Sequence, residues 1–387
     1  MKNNKVLQLD SIRGIACLVV VLSHLSLVFF PQLHAFSSDD KVPKSDILSL
    51  IHESPLGFLY SGTAAVYCFF VLSGYVLSRS FLNKDINVLL LIASIIKRYP
   101  RLAIPSTVSC VLAFLCFLIP VNKEYISSWG FGLGNIHLSL IDALYSGAIE
   151  PYIKGKSTYN AVLWSMKIEL LGSVLVYLYC FSMKKTTAMK ASIYIIILLL
   201  IIFISKNGQE YLGYASFFLG VFIYTYKIKI NKTIAIMLFL FGLYCSGVHY
   251  NSLSYQFIID YVPLINQKNI YELLNFLGGF LIVLSIISGD IFNRFLTKKP
   301  ITILGKLSFS IYLTHLPIFY IIGFPLFYFL YGYFGYFTSS IISCFLILFI
   351  VIVFSYFFEK YIDNMSVIAS NKISKAITNI KVSKLII

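Results

Sequence analysis

An arginine and a histidine stand inside the first apolar stretch of the chain, where charge is costly. Arg13 and His24 are eleven residues apart in a segment otherwise typical of a membrane-spanning helix. At about 100° per residue, this spacing brings both side chains to nearly the same helix face, about 16 Å apart along the axis. Ionisable groups at membrane depth usually face a bundle interior or a wet cavity and serve a function. The alternative is an arginine that reaches the lipid headgroups and a histidine bonded to a neighbouring helix.

Two arginines near a predicted helix start form a candidate anion site. Arg98 and Arg101 lie in the sequence KRYPRLAIP. Pro100 is expected to push Tyr99 out of helical geometry and to stand in the first turn of the next membrane helix. Free amide groups and the positive end of the helix dipole then lie beside both guanidinium groups. The alternative is the ordinary excess of cations in cytoplasmic loops.

The fourth predicted membrane segment carries a carboxylate in the sequence WSMKIE, which begins at Trp164. Ser165 and Glu169 are four residues apart and share a helix face, whereas Lys167 points nearly the opposite way. Glu169 is therefore not expected to pair with Lys167. At about 1.5 Å per residue, Glu169 is predicted to lie roughly 15 Å in from the outer side.

A second histidine ends the sequence SFSIYLTH in the ninth predicted segment. Ser308, Tyr312 and His315 follow one helical stripe, and Ser310 lies between them. His24 and His315 are predicted at similar depths, about 22 and 21 Å from the cytoplasmic starts of their helices. A histidine near a carboxylate can act on a hydroxyl as a general base or as a transient acyl carrier. The same residues are equally typical of hydrogen bonds between membrane helices.

Composition places the chain in a membrane, because 58% of its residues are hydrophobic and only 12% are charged. A soluble domain has about twice that charged share. We predict an all-α, polytopic integral membrane protein of about ten transmembrane helices, each long enough to cross roughly 30 Å of hydrocarbon. The predicted spans are 9–30, 57–79, 102–121, 160–182, 191–205, 211–226, 233–249, 272–288, 301–323 and 336–358.

The net charge of +15 fits the positive-inside rule better than nucleic-acid binding. Basic residues collect in the loops that are cytoplasmic if the N-terminus is inside, so both termini are predicted to be cytoplasmic. Residues 1–360 are predicted to form one membrane domain, and residues 361–387 a basic cytoplasmic tail. The seven cysteines lie in apolar segments without metal-type spacing, so neither a metal site nor a disulfide is predicted.

Five motifs occur in an order that resembles membrane acyltransferase family 3, from residue 8 to about 360. They are the Arg-Gly at Arg13 followed by His24, the run FFVLSGY that contains Ser73, the Arg-x-x-Arg at Arg98, the Trp-Ser-x-x-x-Glu at Trp164 and the run that ends at His315. The resemblance implies a ten-helix enzyme that moves an acyl group, usually acetyl, from cytoplasmic acetyl-CoA to a hydroxylated acceptor. Lys167, Pro100 and Thr314 depart from the family pattern without removing a proposed catalytic atom.

The residues and the resemblance together predict an O-acetyltransferase of a bacterial surface glycan, such as a lipopolysaccharide O-antigen, an exopolysaccharide or a lipid-linked precursor. It is expected in the cytoplasmic (inner) membrane, in contact with membrane lipids. The predicted catalytic residues are His24, Arg13, Glu169 and His315; the predicted acetyl-CoA ligands are Arg98 and Arg101; the predicted supporting residues are Trp164, Ser165, Ser310, Tyr312 and Ser73.

No esterase-like extracytoplasmic domain is recognised in the sequence, so the membrane domain or a separate partner is expected to complete the transfer. The main alternative is a transporter or flippase of a glycosylated or acylated lipid, which would use buried charge equally well. Transporters often have internally repeated halves, and the sequence contains none. A purely structural scaffold would leave the buried histidine and glutamate unexplained.

Overall fold

The computed structural model describes residues 2–34, 42–183, 187–205, 207–261 and 266–379. These residues form helices and connecting turns, with no strand among them, which confirms the all-α class. Six stretches in the described part are long and apolar enough to cross a membrane. They are Leu7–Phe29, Gly62–Leu82, Val88–Phe117, Ala161–Ser182, Gln267–Gly289 and Lys299–Thr378.

The α-helices cover the predicted spans, although the number that cross the membrane stays a prediction. The long ones are α1 (Lys2–Phe29), α3 (Gly62–Leu82), α5 (Arg98–Phe117), α9 (Met166–Ser182), α10 (Thr187–Ile204), α11 (Gly208–Tyr226), α12 (Lys232–Ser246), α14 (Gln267–Gly289), α16 (Lys299–Ile318) and α17 (Phe324–Phe358). The short ones are α2 (Asp46–Glu53), α4 (Val88–Ile96), α6 (Ser128–Phe131), α7 (Leu140–Ala148), α8 (Glu150–Lys154), α13 (Leu253–Tyr261), α15 (Asn293–Leu296) and α18 (Asn364–Thr378).

Helices α1 and α16 run parallel and touch backbone to backbone. A Cβ atom on Gly14 would lie 2.6 Å from the nitrogen of Gly305, so neither position has room for a side chain. Further along, the Cys17 thiol donates to the Ser308 carbonyl oxygen over 3.0 Å. Each contact pairs residues 291 positions apart, and the same difference separates His24 from His315. Small residues permit such close approach between membrane helices, and here they set the register of the two helices.

The last two predicted spans form one antiparallel hairpin. Helix α16 continues through a π-helical turn, Phe319–Gly323, into α17, and the chain reverses at Gly335, which has φ 70° and ψ −178°. Across the hairpin the hydroxyls of Thr314 and Ser355 are 3.0 Å apart, and Lys306 pairs with Glu359 over 3.1 Å.

The predicted tail is helical over most of its length. A second π-helical turn, Glu359–Asp363, leads from α17 into α18, which contacts α4 and α5. Residues 380–387 of the tail lie outside the described part. Helical backbone continues through residue 360, and the division into a membrane domain and a cytoplasmic tail stays a prediction.

We expect Gly335→Ala to lower the free energy of unfolding by about 1–3 kcal/mol, because its backbone conformation is essentially restricted to glycine. Gly332→Ala is the matched control. Both glycines have open space where a Cβ atom would stand, but Gly332 lies in ordinary helical backbone. The control should be neutral or stabilising by up to about 1 kcal/mol. Thermal unfolding of the purified variants in detergent measures the difference, and equal effects would contradict the role of Gly335.

Candidate active site

The two histidines of the predicted site meet in the structure. The Nδ1 atom of His24 on α1 lies 2.8 Å from the Nε2 atom of His315 on α16. The ring centroids are 5.0 Å apart and the planes differ by 12°, so the imidazoles lie end to end in nearly one plane. His315 is fully buried and His24 is half-buried. The parallel register of α1 and α16 produces this contact.

The hydrogen bonds define which nitrogens carry protons in the neutral pair. His315 Nδ1 lies 3.0 Å from the carbonyl oxygen of Ile311, which can only accept, so Nδ1 carries the hydrogen. The Nε2 atom of neutral His315 is then an acceptor, and His24 donates to it through Nδ1. The remaining nitrogen, His24 Nε2, keeps its lone pair. The site therefore presents one basic and nucleophilic nitrogen, oriented by a second histidine.

A tryptophan that the sequence analysis did not single out lies on His24. The ring of Trp129, from the short helix α6, is 5.2 Å from that of His24 with an angle of 9° between the planes. The loop from residue 122 to 159 has no helical periodicity that would point to this residue. Its one signal was rarity, since the chain contains two tryptophans.

A cavity of about 190 Å³ holds most of the other predicted residues. Its lining is cationic and aromatic, and it includes Arg13, Ser73, Arg98, Arg101, Ser165, Glu169, Ser308, Phe309 and Tyr312. Neither His24 nor His315 belongs to this lining. The predicted site is thus divided into a histidine pair and a neighbouring cavity.

Glu169 lies with the arginines rather than with the histidines. Its Oε1 atom accepts from Arg98 Nη2 over 2.7 Å and from Ser73 Oγ over 3.0 Å. Before α9 begins, the chain already contacts α16 close to the level of His315. Asn160 already donates to the carbonyl oxygen of Leu313 over 2.8 Å, and the 3₁₀ turn Ala161–Ser165 follows.

Two arginines at the cavity keep hydrogen-bonding capacity. Arg98 Nε is buried and has no partner among the described residues. Arg13 lines the same cavity, and no hydrogen bond or ion pair of its side chain is found within the described part of the chain. Such groups can receive an anionic ligand.

Arg101 is occupied by the protein itself. Its guanidinium forms a forked ion pair with Asp363, in which Nη2 lies 3.1 Å from Oδ2, and it also donates to Ser366 Oγ over 2.8 Å. The predicted exclusion of Tyr99 from the helix is wrong, because α5 begins at Arg98 and Pro100 occupies its third position. Proline is tolerated in a first turn, where the amide lacks a helical partner.

Tyr312 connects the cavity to the histidine pair. Its hydroxyl donates to the Val162 carbonyl oxygen over 2.5 Å and lies 2.8 Å from Ser165 Oγ. Its ring centroid is 6.3 Å from that of His315, one helical turn away on α16. Tyr312 therefore lines the cavity and also lies beside His315 of the histidine pair.

The remaining predicted residues have structural surroundings. Lys167 bonds both carboxylate oxygens of Glu210, over 2.9 and 2.8 Å, so Glu169 is indeed not its partner. Ser310 is fully buried, and its hydroxyl has no partner in the described part. Trp164 is half-buried against the core and outside the cavity lining. No group of metal ligands is found among the described residues.

Three further histidines form a separate buried cluster. His34 and His249 have ring centroids 5.3 Å apart, and His52 lies 6.3 Å from His249. Each ring is bonded to its surroundings: His34 to Ser26, His52 to the Leu33 carbonyl and His249 to the Gly247 carbonyl. Burial holds the pKa of His34 well below its usual range, with a smaller contribution from nearby histidines.

The sequence matches a family model described as "Acyltransferase domain" over residues 6–360. It is 25% identical over 308 residues to the O-acetyltransferase OatA of Staphylococcus aureus, an alignment that covers 70% of this chain and 48% of the relative. It is 32% identical over 124 residues to the O-acetyltransferase PaAT-1 of Phomopsis amygdali, covering 30% of this chain and 23% of that protein. The chain thus spans about half the length of the OatA relatives. No solved structure matches it significantly.

We expect Arg101→Ala and Asp363→Asn each to lower the free energy of unfolding, because each leaves a partly buried group unpaired. The double variant should lose less than the sum, with a coupling energy of about 0.5–3 kcal/mol. Lys306→Ala is the control, since its pair with Glu359 has a lysine side chain that is 69% exposed and should contribute less than about 1 kcal/mol. Unfolding in detergent measures all four, and additivity of the Arg101 and Asp363 effects would contradict the pairing.

Proposed function

The chain belongs to the acyltransferase family whose model covers residues 6–360, and we propose that it transfers an acetyl group from acetyl-CoA to a hydroxyl of an extracytoplasmic glycan. The observation that carries this proposal is the hydrogen bond from His24 to His315, which leaves His24 Nε2 free. The relatives named O-acetyltransferase support the acetyl group and the oxygen acceptor. The proposed location is the bacterial inner membrane.

His24 Nε2 can serve the transfer in two ways. As a general base it takes the acceptor's proton while the acceptor oxygen attacks the thioester carbonyl, the C–S bond breaks, and the proton then passes to the departing thiolate. As an acyl carrier it attacks the carbonyl itself, releases the thiolate, and gives the acyl group to the hydroxyl, whose proton again ends on the thiolate. In either route positive charge develops on His24, and His315 Nε2 stabilises it through the Nδ1 hydrogen bond.

The arginines of the cavity fit the donor. Arg13 and the Nε atom of Arg98 have free donors toward a phosphate or pyrophosphate group. Glu169 and Ser73 hold the Arg98 side chain at the cavity wall. Because Arg101 is bound to Asp363, we assign it to the support of this wall, although it also lines the cavity.

The acceptor is proposed to be a surface polysaccharide or its lipid-linked precursor. The transfer is completed by the membrane domain itself or by a separate esterase-like protein on the outer side. The competing proposal is a transporter or flippase without chemistry, for which the cavity would be a substrate path. The acyltransferase family model and the relatives named O-acetyltransferase favour the enzyme.

Labelled acetyl-CoA given to purified protein in nanodiscs tests the proposal. Acceptor-dependent release of CoA, with the label in an alkali-labile ester on a sugar, is expected. In sealed, oriented vesicles, donor on the side of Arg98 should acetylate acceptor held on the opposite side. Movement of acceptor without CoA release would favour the transporter, and transfer only when both substrates share one side would overturn the cross-membrane route. A stoichiometric release of CoA without acceptor would identify the acyl-carrier mechanism.

His24→Ala should abolish transfer while the amount of folded protein in the membrane stays unchanged. His315→Leu should lower kcat about 10²–10⁴-fold, because it removes the acceptor that fixes the proton on His24 Nδ1. His315→Gln is the matched variant, since its amide oxygen can accept the same hydrogen bond, and it should recover part of the activity. Equal activities of the leucine and glutamine variants would contradict the role of His315 as an acceptor.

Arg98→Ala should raise the KM for acetyl-CoA, and Arg98→Lys should restore it only in part, because lysine lacks the forked donor geometry. Arg101→Lys is the comparison, because Arg101 is assigned to the support of the cavity wall through its pair with Asp363. This variant should change thermal stability more than the affinity for acetyl-CoA. Isothermal titration with acetyl-CoA measures affinity independently of turnover. Unchanged affinity in Arg98→Ala would move the donor site elsewhere.

A further inference from the structure

The stacking of Trp129 on His24 differs from an ordinary core contact because the two rings are almost parallel. A centroid separation of 5.2 Å with an angle of 9° is the geometry of offset stacking. Only one edge of the His24 ring is engaged by His315, so the indole covers a face that the hydrogen bond does not fix. His24 is therefore held by contacts in two directions.

The loop that carries Trp129 is bonded to the same helix as His24. Ser127 Oγ donates to the Leu27 carbonyl oxygen over 2.6 Å, and the Ser127 amide donates to the Val28 carbonyl oxygen over 3.2 Å. Both carbonyls belong to the last turn of α1, about one turn beyond His24, where carbonyl oxygens lack a partner within the helix. These bonds thus fix the position of the Trp129 indole relative to α1, the helix that carries His24.

A second set of contacts closes the loop on itself. Lys123 Nζ donates to the carbonyl oxygens of Phe131 and Leu133, over 3.1 and 2.5 Å, and lies 5.3 Å from the centre of the Tyr320 ring. These bonds join Lys123, which precedes α6, to the end of α6 and to the residues that follow it. The loop is consequently fixed against α1 at one point and against the extension of α16 at another.

The position of the ring matters because a single hydrogen bond to His315 does not fix the plane of the imidazole. A tilt of the His24 ring about its Cβ–Cγ bond displaces Nε2, the nitrogen that acts, and also takes Nδ1 out of line with His315 Nε2. A displacement of about 1 Å at a reacting atom can cost about 10²-fold in rate. A flat surface parallel to the ring opposes this tilt, whereas bulk without a flat face does not.

We propose that Trp129 is a positioning residue that keeps the His24 imidazole coplanar with His315, and so holds His24 Nδ1 as the donor and Nε2 as the reactive nitrogen. This rests on the proposed function for its catalytic consequence. Its structural content, the fixed tautomer and orientation of His24, stands apart from any activity.

The test compares Trp129→Phe, which keeps a flat ring, with Trp129→Leu, which keeps apolar bulk alone. Protein labelled with ¹⁵N-histidine contains six histidines, and His24→Asn identifies the His24 signals. The wild type and Trp129→Phe should show His24 protonated at Nδ1 alone, and Trp129→Leu should show shifts averaged between tautomers. Ile141→Ala is the control, because Ile141 lies in the same segment between residues 122 and 159 with a side chain that is 77% exposed, and it should leave the His24 signals unchanged.

The activity readout is expected to follow the tautomer. Trp129→Leu should lower kcat about ten- to hundredfold with an unchanged KM for acetyl-CoA, and Trp129→Phe should restore most of it. A fixed Nδ1-protonated His24 in Trp129→Leu would overturn the proposal, as would equal loss in the leucine and phenylalanine variants. If the wild type transfers no acetyl group, the proposed function fails while the NMR comparison still decides the role of Trp129.

Discussion

A charged side chain that is buried among packed helices must be neutralised within the protein, and the bundle depends on this constraint. Three ion pairs meet it by joining elements far apart in the sequence: Lys167–Glu210, Arg98–Glu169 and Arg101–Asp363. Removal of one member would leave the other buried and uncompensated. Arg13 differs, because no such partner is found for it within the described part of the chain. Its guanidinium group lines the cavity and is therefore available to a ligand.

The candidate site consists of two neighbouring parts, the cationic cavity and the histidine pair. The cationic cavity offers hydrogen-bond donors and a counter-charge, whereas the histidine pair offers a lone pair and an internal acceptor. Tyr312 stands between them, with its hydroxyl in the cavity and its ring near His315. An anionic donor held in the cavity and a reactive nitrogen beyond it give the proposed transfer a direction through the bundle. Anion binding needs cationic hydrogen-bond donors, whereas the histidine pair needs a hydrogen-bond acceptor for His24 Nδ1. The fold provides both within a few helical turns.

Much of the site could be predicted because membrane helices have a fixed rise and twist. The spacing of Arg13 and His24, and the similar depths of His24 and His315, follow from counting residues along straight helices. Counting along one helix could not show that Glu169 pairs with Arg98, because the two residues lie on different helices. The hydrogen bond of Asn160 to the Leu313 carbonyl likewise joins segments that helical spacing treats separately.

Contacts made by loops or between distant segments could not be predicted, because they produce no periodic pattern in the sequence. Trp129 lies in an irregular loop, so its position on His24 follows from tertiary hydrogen bonds alone. Arg101 is a surface-type cation by sequence, and its partner Asp363 lies in a segment that was predicted to be a tail. Single charged residues carry no indication of which distant charge they meet. The family resemblance predicted the candidate positions, and the structure shows that Arg101 is paired within the protein whereas Arg98 keeps a donor without a partner among the described residues.

The constant offset of 291 residues between α1 and α16 makes these segments intolerant of changes in length. His24 follows Gly14 by ten positions, and His315 follows Gly305 by ten positions. One inserted or deleted residue in either interval would rotate its histidine by about 100° and shift it by about 1.5 Å relative to the glycine contact. The histidines meet because the glycine-to-histidine intervals on the two parallel helices have equal length. A change of length in the loops that precede or follow α1 and α16 would leave this register intact.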